Sequence, residues 1–407
     1  MMAPLARIAV RNLARNRRRT GLTVAAIALG LAALTLLWAL SAGLQRNIAR
    51  NLQEAIVGSL QVHRAGFLDR PELARHLDNP ALVAAALSGR GVSAWTPRLE
   101  TFALAAGPVA STGLLLMGLD PEREPQVTAL AKRVTLGRFL RPDDGPVCVL
   151  GVSAARTLGV SIGEPVTLLV YDRFGALSAE DFTLVGLLTG GEAGIDAGFA
   201  AVPLAAAQAL LEMEGRVTSI AVRVPERVLA RVVAGLVADL AGQGLEVLRW
   251  DEMFPMVRQW SQLSEGFHYV LLGVVLVMAL GGVVNTLLAS MLERTRELGL
   301  LMALGVTPGS LRRLVMLEAA LLGALGTATG VGLGAALVLL TAHTGVDLSS
   351  LVADTGRYYL DPVIRPALLY RQLLLSALAT LAATVLAALY PAWQTSRLEP
   401  AEALRHV

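Results

Sequence analysis

The sequence predicts an integral membrane protein with four transmembrane helices, both termini in the cytoplasm, and a large mixed α/β extracytoplasmic domain between spans one and two. Three observations predict it. The 407-residue chain is 54% hydrophobic and only 16% charged, against about 25% charged residues in soluble domains, and its mean hydropathy is +0.58. Four runs, 20–45, 266–292, 319–342 and 372–396, contain no Asp, Glu, Lys or Arg, and each reaches the roughly 20 residues a span needs. The arginines of the short segments fall on one side of that pattern. Arg7, Arg11, Arg15, Arg17, Arg18 and Arg19 precede the first run, Arg294, Arg296, Arg312 and Arg313 lie between the second and third, and Arg397 and Arg405 follow the fourth. Arginine-rich short segments stay inside, which sets the topology.

Residues 1–19 read as a cytoplasmic amphipathic helix. Arg7, Arg11, Arg15 and Arg18 recur at helical spacing, with Leu5, Ile8, Ala9 and Leu13 on another face, a pattern that suits an anionic membrane surface. The run 20–45 is longer than the 7–15-residue apolar core of a signal peptide and is read as span one. Leu40, Leu44, Ile48, Leu52 and Ile56 continue its stripe every four residues, so span one extends into a stalk.

Residues 46–265 are long enough to bury a core. "GSLQVHR" and "PVTLLVY" read as strands. "PLAAAQALLEME" and "PERVLARVVAGLVADLAG" read as helices, the first with Pro203 near its N1 position. Gly159 and Gly163 bracket a turn. "MVRQWSQLSEGFHY" leads into span two at 266–292. Segment 293–306 follows, then span three within 307–342, an extracytoplasmic loop at 343–370, span four at 371–396 and a tail at 397–407.

Several chemistries are excluded. Lys132 is the single lysine and follows Ala131, so no phosphate loop of the GxxxxGK[ST] type exists. Cys148 is the single cysteine, which rules out an intramolecular disulfide and a cysteine metal site. His63, His76, His268, His343 and His406 form no metal or protease motif. The spans carry no acidic or basic group at mid-membrane, where ion-coupled transporters keep them. Glu318 sits at the cytoplasmic entry of span three. Asn285, the one strongly polar group deep in a span, reads as an interhelical hydrogen bond. The glycines Gly323, Gly326, Gly330 and Gly334 suit close packing of span three. The arginines are not interleaved with aromatics, so nucleic acid is not an expected partner. No enzyme activity, cofactor or metal is expected in the chain.

The most informative stretch is "LERTRELGLLMALGVTPGSLRRLVMLEA", 292–319. As a helix, Glu293, Arg296, Glu297, Leu300 and Leu304 share one face, while Thr295, Leu298 and Met302 share the other. It is apolar nearly all round from Leu298 to Leu304, yet too short to span. Such a helix is covered on both sides, one by its own spans and one by a partner. Gly305 is a C′ residue, and Thr307 then Pro308 form an N-cap and N1 that start span three.

The continuation "ERTRELGLLMALGVTPGSLRRLVMLEAALLGALG" closely resembles the signature of the FtsX-like/MacB-like permeases of (type VII) ABC transporters. "RNLARNRRRTGLTVAAIALG" is similar to that family's N-terminal entry. "MGLDPEREPQVTALAKRVTLGRFL…VCVLGVSAARTLGVSIGEPVTLLV" looks like its extracytoplasmic domain, and "ALYPAWQTSRLEPAEALRHV" resembles its C-terminal end. The likeness covers nearly the whole chain, more loosely in the middle. Length, the lack of a fused ATPase and "LRWDEMFPM" look most like the lipoprotein-releasing permeases.

The resemblance implies a bacterial inner-membrane permease. A separate cytoplasmic ABC ATPase dimer, which binds the ATP and Mg²⁺, would dock on Glu293, Arg294, Arg296, Glu297, Leu300, Leu301, Leu304 and Gly305. The motion would pass through the stalk to the periplasmic domain. A second permease copy or a paralogue, membrane lipids and a periplasmic carrier or adaptor are the other implied partners. The substrate would be a lipoprotein or hydrophobic molecule near Trp38, Leu40, Leu44 and Val270. A signalling module that activates a cell-wall hydrolase, and a drug or peptide efflux permease, stay open as alternatives.

Overall fold

The computed structural model describes residues 2–189, 193–347 and 363–397. The expected loop 343–370 lies outside them over 348–362, and so does the tail after Arg397. The described residues form two compact units, one of residues 2–45, 260–347 and 363–397, the other of 46–189 and 193–259.

The larger unit is built on a ten-stranded sheet. In chain order its strands are β1 (Leu60–Arg64), β2 (Trp95–Ala106), β3 (Ser111–Leu119), β4 (Val134–Gly137), β5 (Val147–Gly151), β6 (Pro165–Tyr171), β7 (Leu177–Leu188), β8 (Phe199–Pro203), β9 (Ser219–Val222) and β10 (Leu245–Arg249). Their spatial order is β10-β1-β9-β2-β3-β8-β5-β7-β4, with β6 pairing to β2 and β7. The β3–β8 and β5–β7 pairs are parallel and the others antiparallel. The sequence "GSLQVHR" becomes β1 and "PVTLLVY" becomes β6, as β-branched and aliphatic residues favour a buried pleated surface.

Helices cover this sheet with apolar stripes. Glu226–Asp239 buries Leu229, Val232 and Leu236, spaced three and four apart as a one-faced helix requires. They join Leu60, Val62 and Ile220 in one core. A second core gathers Leu99, Leu116, Phe182 and Leu184. Pro203 closes β8 and caps the helix Leu204–Leu210, one residue before the expected N1 position. That helix ends early. Glu212 takes φ +53° and its N–H reaches Ala209 O while Met213 N–H reaches Gln208 O, an αL termination. The "LEME" end expected as helix is therefore a turn.

A buried ion pair lies within this unit. Arg98 on β2 and Glu124 have fully buried side chains. Arg98 Nε donates to Glu124 Oε2 at 3.1 Å and Nη2 to Oε1 at 2.6 Å. Its Nη1 donates to Ile56 O, in a one-turn π-helix, Gln53–Val57.

The other unit holds an N-terminal helix, Met2–Arg15, and long apolar helices. Four segments are long and apolar enough to cross a membrane: Arg17–Val57, Pro255–Glu293, Pro308–Thr344 and Tyr370–Thr395. They are called spans one to four below. Span three packs through glycine. A Cβ at Gly323, Gly326, Gly330 or Gly334 would stand 3.0 Å or less from atoms of Thr384, Ile27, Ala28 or Thr35. Only residues without a side chain allow that approach. Thr23 and Thr286 share a buried hydroxyl hydrogen bond of 2.6 Å between spans one and two. Asn285, expected to supply such a bond, is exposed instead, and its neighbour Thr286 faces span one because adjacent helical residues point about 100° apart.

Candidate functional site

Span two ends at Glu293. Arg294 leaves the helical region, with φ −121° and ψ 15°, and a short helix runs Thr295–Ala303 within segment 293–306. It terminates in the manner glycine permits. Gly305 has φ +93°, its N–H reaches Met302 O at 3.0 Å, and Val306 N–H reaches Leu301 O at 3.0 Å. This double bond pattern is a Schellman motif. Thr307 caps span three by backbone position, with Pro308 next. Its hydroxyl meets the Ser310 hydroxyl at 3.0 Å rather than a backbone N–H.

The two faces of the short helix differ sharply. Leu298 is buried with Met291 and Leu311, and Leu301, Met302 and Val306 pack against them. Leu300 and Leu304 are 53% and 75% exposed, and Leu292 is 72% exposed. The helix thus leaves an apolar ridge uncovered within the described residues.

Most charged residues at and beside its start are already engaged. Arg15 Nη1 donates to Glu297 Oε1 at 2.9 Å. Arg19 Nη2 and Asn16 Nδ2 donate to Glu293 at 2.7 and 2.8 Å. Arg294, expected on the docking surface, turns inward: its side chain is 11% exposed and lies 3.0 Å from Glu297 and 3.6 Å from Glu318. Asn12 Nδ2 donates to Glu318 Oε1 at 2.5 Å. Arg294, then Arg15, hold the Glu297 carboxyl below the usual glutamate range. Arg296 is exposed. Sequence reasoning placed the N-terminal helix on lipid and missed this network. The regular arginines had two compatible uses, and only the fold reveals that Arg15 and Arg19 face acids nearly 300 positions away.

At the other end of spans one and two, Trp38 is 6% exposed. Its ring stacks on His268 at 5.8 Å and meets Tyr269 edge-on at 6.1 Å. Leu40 and Leu44 are partly buried and Val270 is exposed. Trp38 borders a cavity of about 110 Å³ lined also by Ser41, Gln45, Ser264, His268 and Gln372. Ser41 and Ser264 hydroxyls are 2.9 Å apart, and His268 Nδ1 donates to Ser264 O at 2.5 Å. Sequence reasoning missed these polar residues, because single serines and glutamines on apolar helices carry no spacing signal. Among the described residues no group of three or more His, Cys, Asp or Glu side chains could hold a metal.

Comparison with known proteins gives two family matches. The MacB-like periplasmic core domain matches residues 20–239 and the FtsX-like permease C-terminal domain matches residues 269–400. The chain is 26% identical over 412 aligned positions, covering 96% of each chain, to the lipoprotein-releasing system transmembrane protein LolC of Xylella fastidiosa. It is 24% identical to the LolC protein of Neisseria meningitidis, over 95% of this chain and 94% of that one. A crystal structure of the periplasmic region of MacB from Actinobacillus actinomycetemcomitans aligns to 50% of this chain and 94% of its own, at 16% identity and a TM-score of 0.36.

Proposed function

The chain belongs to the FtsX-like/MacB-like family of ABC transporter permeases, and from that premise we propose that it couples a separate cytoplasmic ATPase to movement of its periplasmic domain, releasing lipoproteins or similar amphiphiles from a bacterial inner membrane. The observation that carries the coupling is the short helix Thr295–Ala303, buried on one face and bare along Leu300 and Leu304 on the other. Fully burying a leucine contributes about 1.5–3 kcal/mol, so covering the exposed half to three-quarters of Leu300 and Leu304 gains a partner about four- to fortyfold per residue. The chain carries no lysine phosphate loop, and ATP with Mg²⁺ belongs to that partner. Gly305 sets the helix end. Glu293, Glu297 and Arg294 fix the helix to the N-terminal helix and to its own spans, leaving Arg296, Leu300 and Leu304 as the residues a partner approaches.

Lipoprotein release is favoured over efflux or hydrolase activation by the end-to-end likeness to lipoprotein-releasing permeases. An amphiphile needs an apolar wall and a polar receptor. The exposed Val270 with Leu40 and Leu44 offers the first, and the small polar cavity beside Trp38 the second. A carrier or adaptor on the periplasmic side would accept what is released.

The test is co-purification. Leu304→Asp and Glu297→Lys are expected to abolish recovery of an ABC ATPase with the chain while membrane insertion persists, and the wild-type complex is expected to carry a lipid-modified protein. Normal ATPase recovery with both variants would overturn the docking assignment.

A further inference from the structure

The cavity beside Trp38 is a built site rather than a gap between spans. It lies where the charge-free run 20–45 of span one ends and the run 266–292 of span two begins. In a membrane the ends of such runs stand at the level of the headgroups. Its third wall is the segment that leads into span four. Ala367 N–H donates to Ala39 O at 2.9 Å, and a Cβ at Gly43 would collide with Arg365 O. That close approach to span one sets Leu369 and Gln372 against the cavity.

The lining has one chemical bias. Among the described residues that form it, Glu265 is the only acid and none is Lys or Arg. Arg371, the neighbour of Gln372, is exposed and does not line it. Glu265 makes no ion pair among the described residues, and its one side-chain hydrogen bond comes from the Tyr269 hydroxyl at 3.4 Å. Gln45, Ser261 and Gln372 are half-buried and make no side-chain hydrogen bond among the described residues. The Ser41 and Ser264 hydroxyls share one proton across 2.9 Å, which leaves oxygen lone pairs over. With the His268 proton held on Nδ1 by Ser264 O, the neutral ring offers Nε2 as a further acceptor.

These groups discriminate by charge. An anionic head in the cavity would meet a carboxylate and no cation. A cationic head would meet that carboxylate, hydroxyl and amide oxygens and an imidazole lone pair, and an ammonium, with three donors and no acceptor, uses all of them. Size agrees. The cavity holds about 110 Å³, three or four waters at about 30 Å³ each, which is room for an aminoethyl group or an amino terminus.

We propose that this cavity receives the primary ammonium group of an amphiphile. Glu265 is its counter-ion, and the oxygens of Gln45, Ser261 and Gln372 accept its hydrogen bonds. The inference rests on the amphiphile-releasing function proposed above and narrows the substrates to those that carry a free amine. The head of an aminophospholipid and the free α-amino group of a diacylated lipoprotein share this chemistry.

Fluorescence anisotropy on the full chain, purified in detergent with its co-expressed ATPase, tests it. The probe is a dye-labelled diacylated lipopeptide with a free α-amino group, set against its N-acetyl derivative. Hydrogen bonds to a charged group predict about tenfold tighter binding of the free amine. Glu265→Gln is expected to erase that preference and Glu265→Lys to reverse it, and ATPase co-purification reports that each variant is folded. Phosphatidylethanolamine and phosphatidylglycerol, added in the same detergent as competitors, separate the two sources. Displacement by phosphatidylethanolamine alone marks the lipid head as a ligand, and displacement by neither marks the lipoprotein amine. Displacement by phosphatidylglycerol, equal binding of the two lipopeptides, or a preference that survives Glu265→Gln would overturn the ammonium assignment and leave the proposed function standing. Failure of both lipopeptides to bind a complex that retains its ATPase would overturn the amphiphile reading together with it.

Discussion

Replacing Arg98 with Met isolates the energetics of the buried pair. Glu124 would keep one side-chain donor, the Thr128 hydroxyl at 2.5 Å, and lose the two guanidinium bonds at 3.1 and 2.6 Å. Ile56 O would lose its donor as well. Removing one partner of a buried ion pair costs about 3–5 kcal/mol because the other charge stays uncompensated. A unit of this size shifts its thermal midpoint by about 2–4 °C per kcal/mol, so the midpoint is expected to fall by roughly 6–20 °C. The assay is thermal unfolding of the purified full chain in detergent, followed by the circular dichroism of the sheet. The double variant Arg98→Met/Glu124→Leu separates charge from packing, since an apolar pair of similar volume is often neutral or stabilising, and it is expected to recover most of the loss. The reasoning fails if Arg98→Met costs no more than Arg231→Met on the exposed face of Glu226–Asp239, or if the double variant is as unstable as the single.

Three further outcomes follow from the same coordinates. His63 on β1 is buried, which lowers its pKa from 6.5 to about 4; the folded state then binds fewer protons, so stability is intact above pH 6.5 and falls as pH drops toward 4, by about 2 kcal/mol at pH 5, and His63→Gln is expected to flatten that slope in urea titrations at pH 7 and 5. Burial raises the Glu100 pKa despite Arg98 and Ser219 nearby, so ionising it opposes folding as pH rises above the ordinary glutamate value; Glu100→Gln is expected to stabilise the chain at pH 7 and to lose that advantage near pH 4. In span three, Gly330→Val would press on Ala28 and Leu31 and Gly332→Val on nothing; overpacking costs about 1–3 kcal/mol, so only the first is expected to lower the detergent melting temperature.

Much of this was legible in the residues because burial follows period. The charge-free runs marked the spans, and the three-four spacing of Leu229, Val232 and Leu236 marked their helix. Gly305 announced the end of the short helix because an αL position excludes most side chains. Other features had no local signal. Asn285 and Thr286 are adjacent polar residues in one apolar run, and only the rotation of the helix against span one decides which is buried. Arg98 and Glu124 read as two scattered surface charges, since nothing in a strand's sequence tells a paired interior charge from a solvated one. The tie from Arg15 to Glu297 spans most of the chain, and long-range pairing leaves no periodic trace.

That tie changes how Glu297 must be read. The carboxylate already faces Arg15 and Arg294, so an ATPase that approached it would meet a neutralised acid, and the determinants left free are Arg296, Leu300 and Leu304. Glu297→Lys would set a third cation beside two arginines and push the N-terminal helix from the short helix. Exposed ion pairs contribute only about 0–1 kcal/mol, and Arg15 and Glu297 are both about half exposed, so folding should barely change while the placement of the short helix does. The charge-swapped variant Arg15→Glu/Glu297→Lys restores the attraction without restoring the native acid. If Glu297 acts by holding the helix, the swap recovers ATPase co-purification that each single reversal loses, and recovery weakens as salt shortens the Debye length below about 10 Å. If the acid itself touches the ATPase, the swap recovers nothing, and the positioning role of Arg15 is refuted.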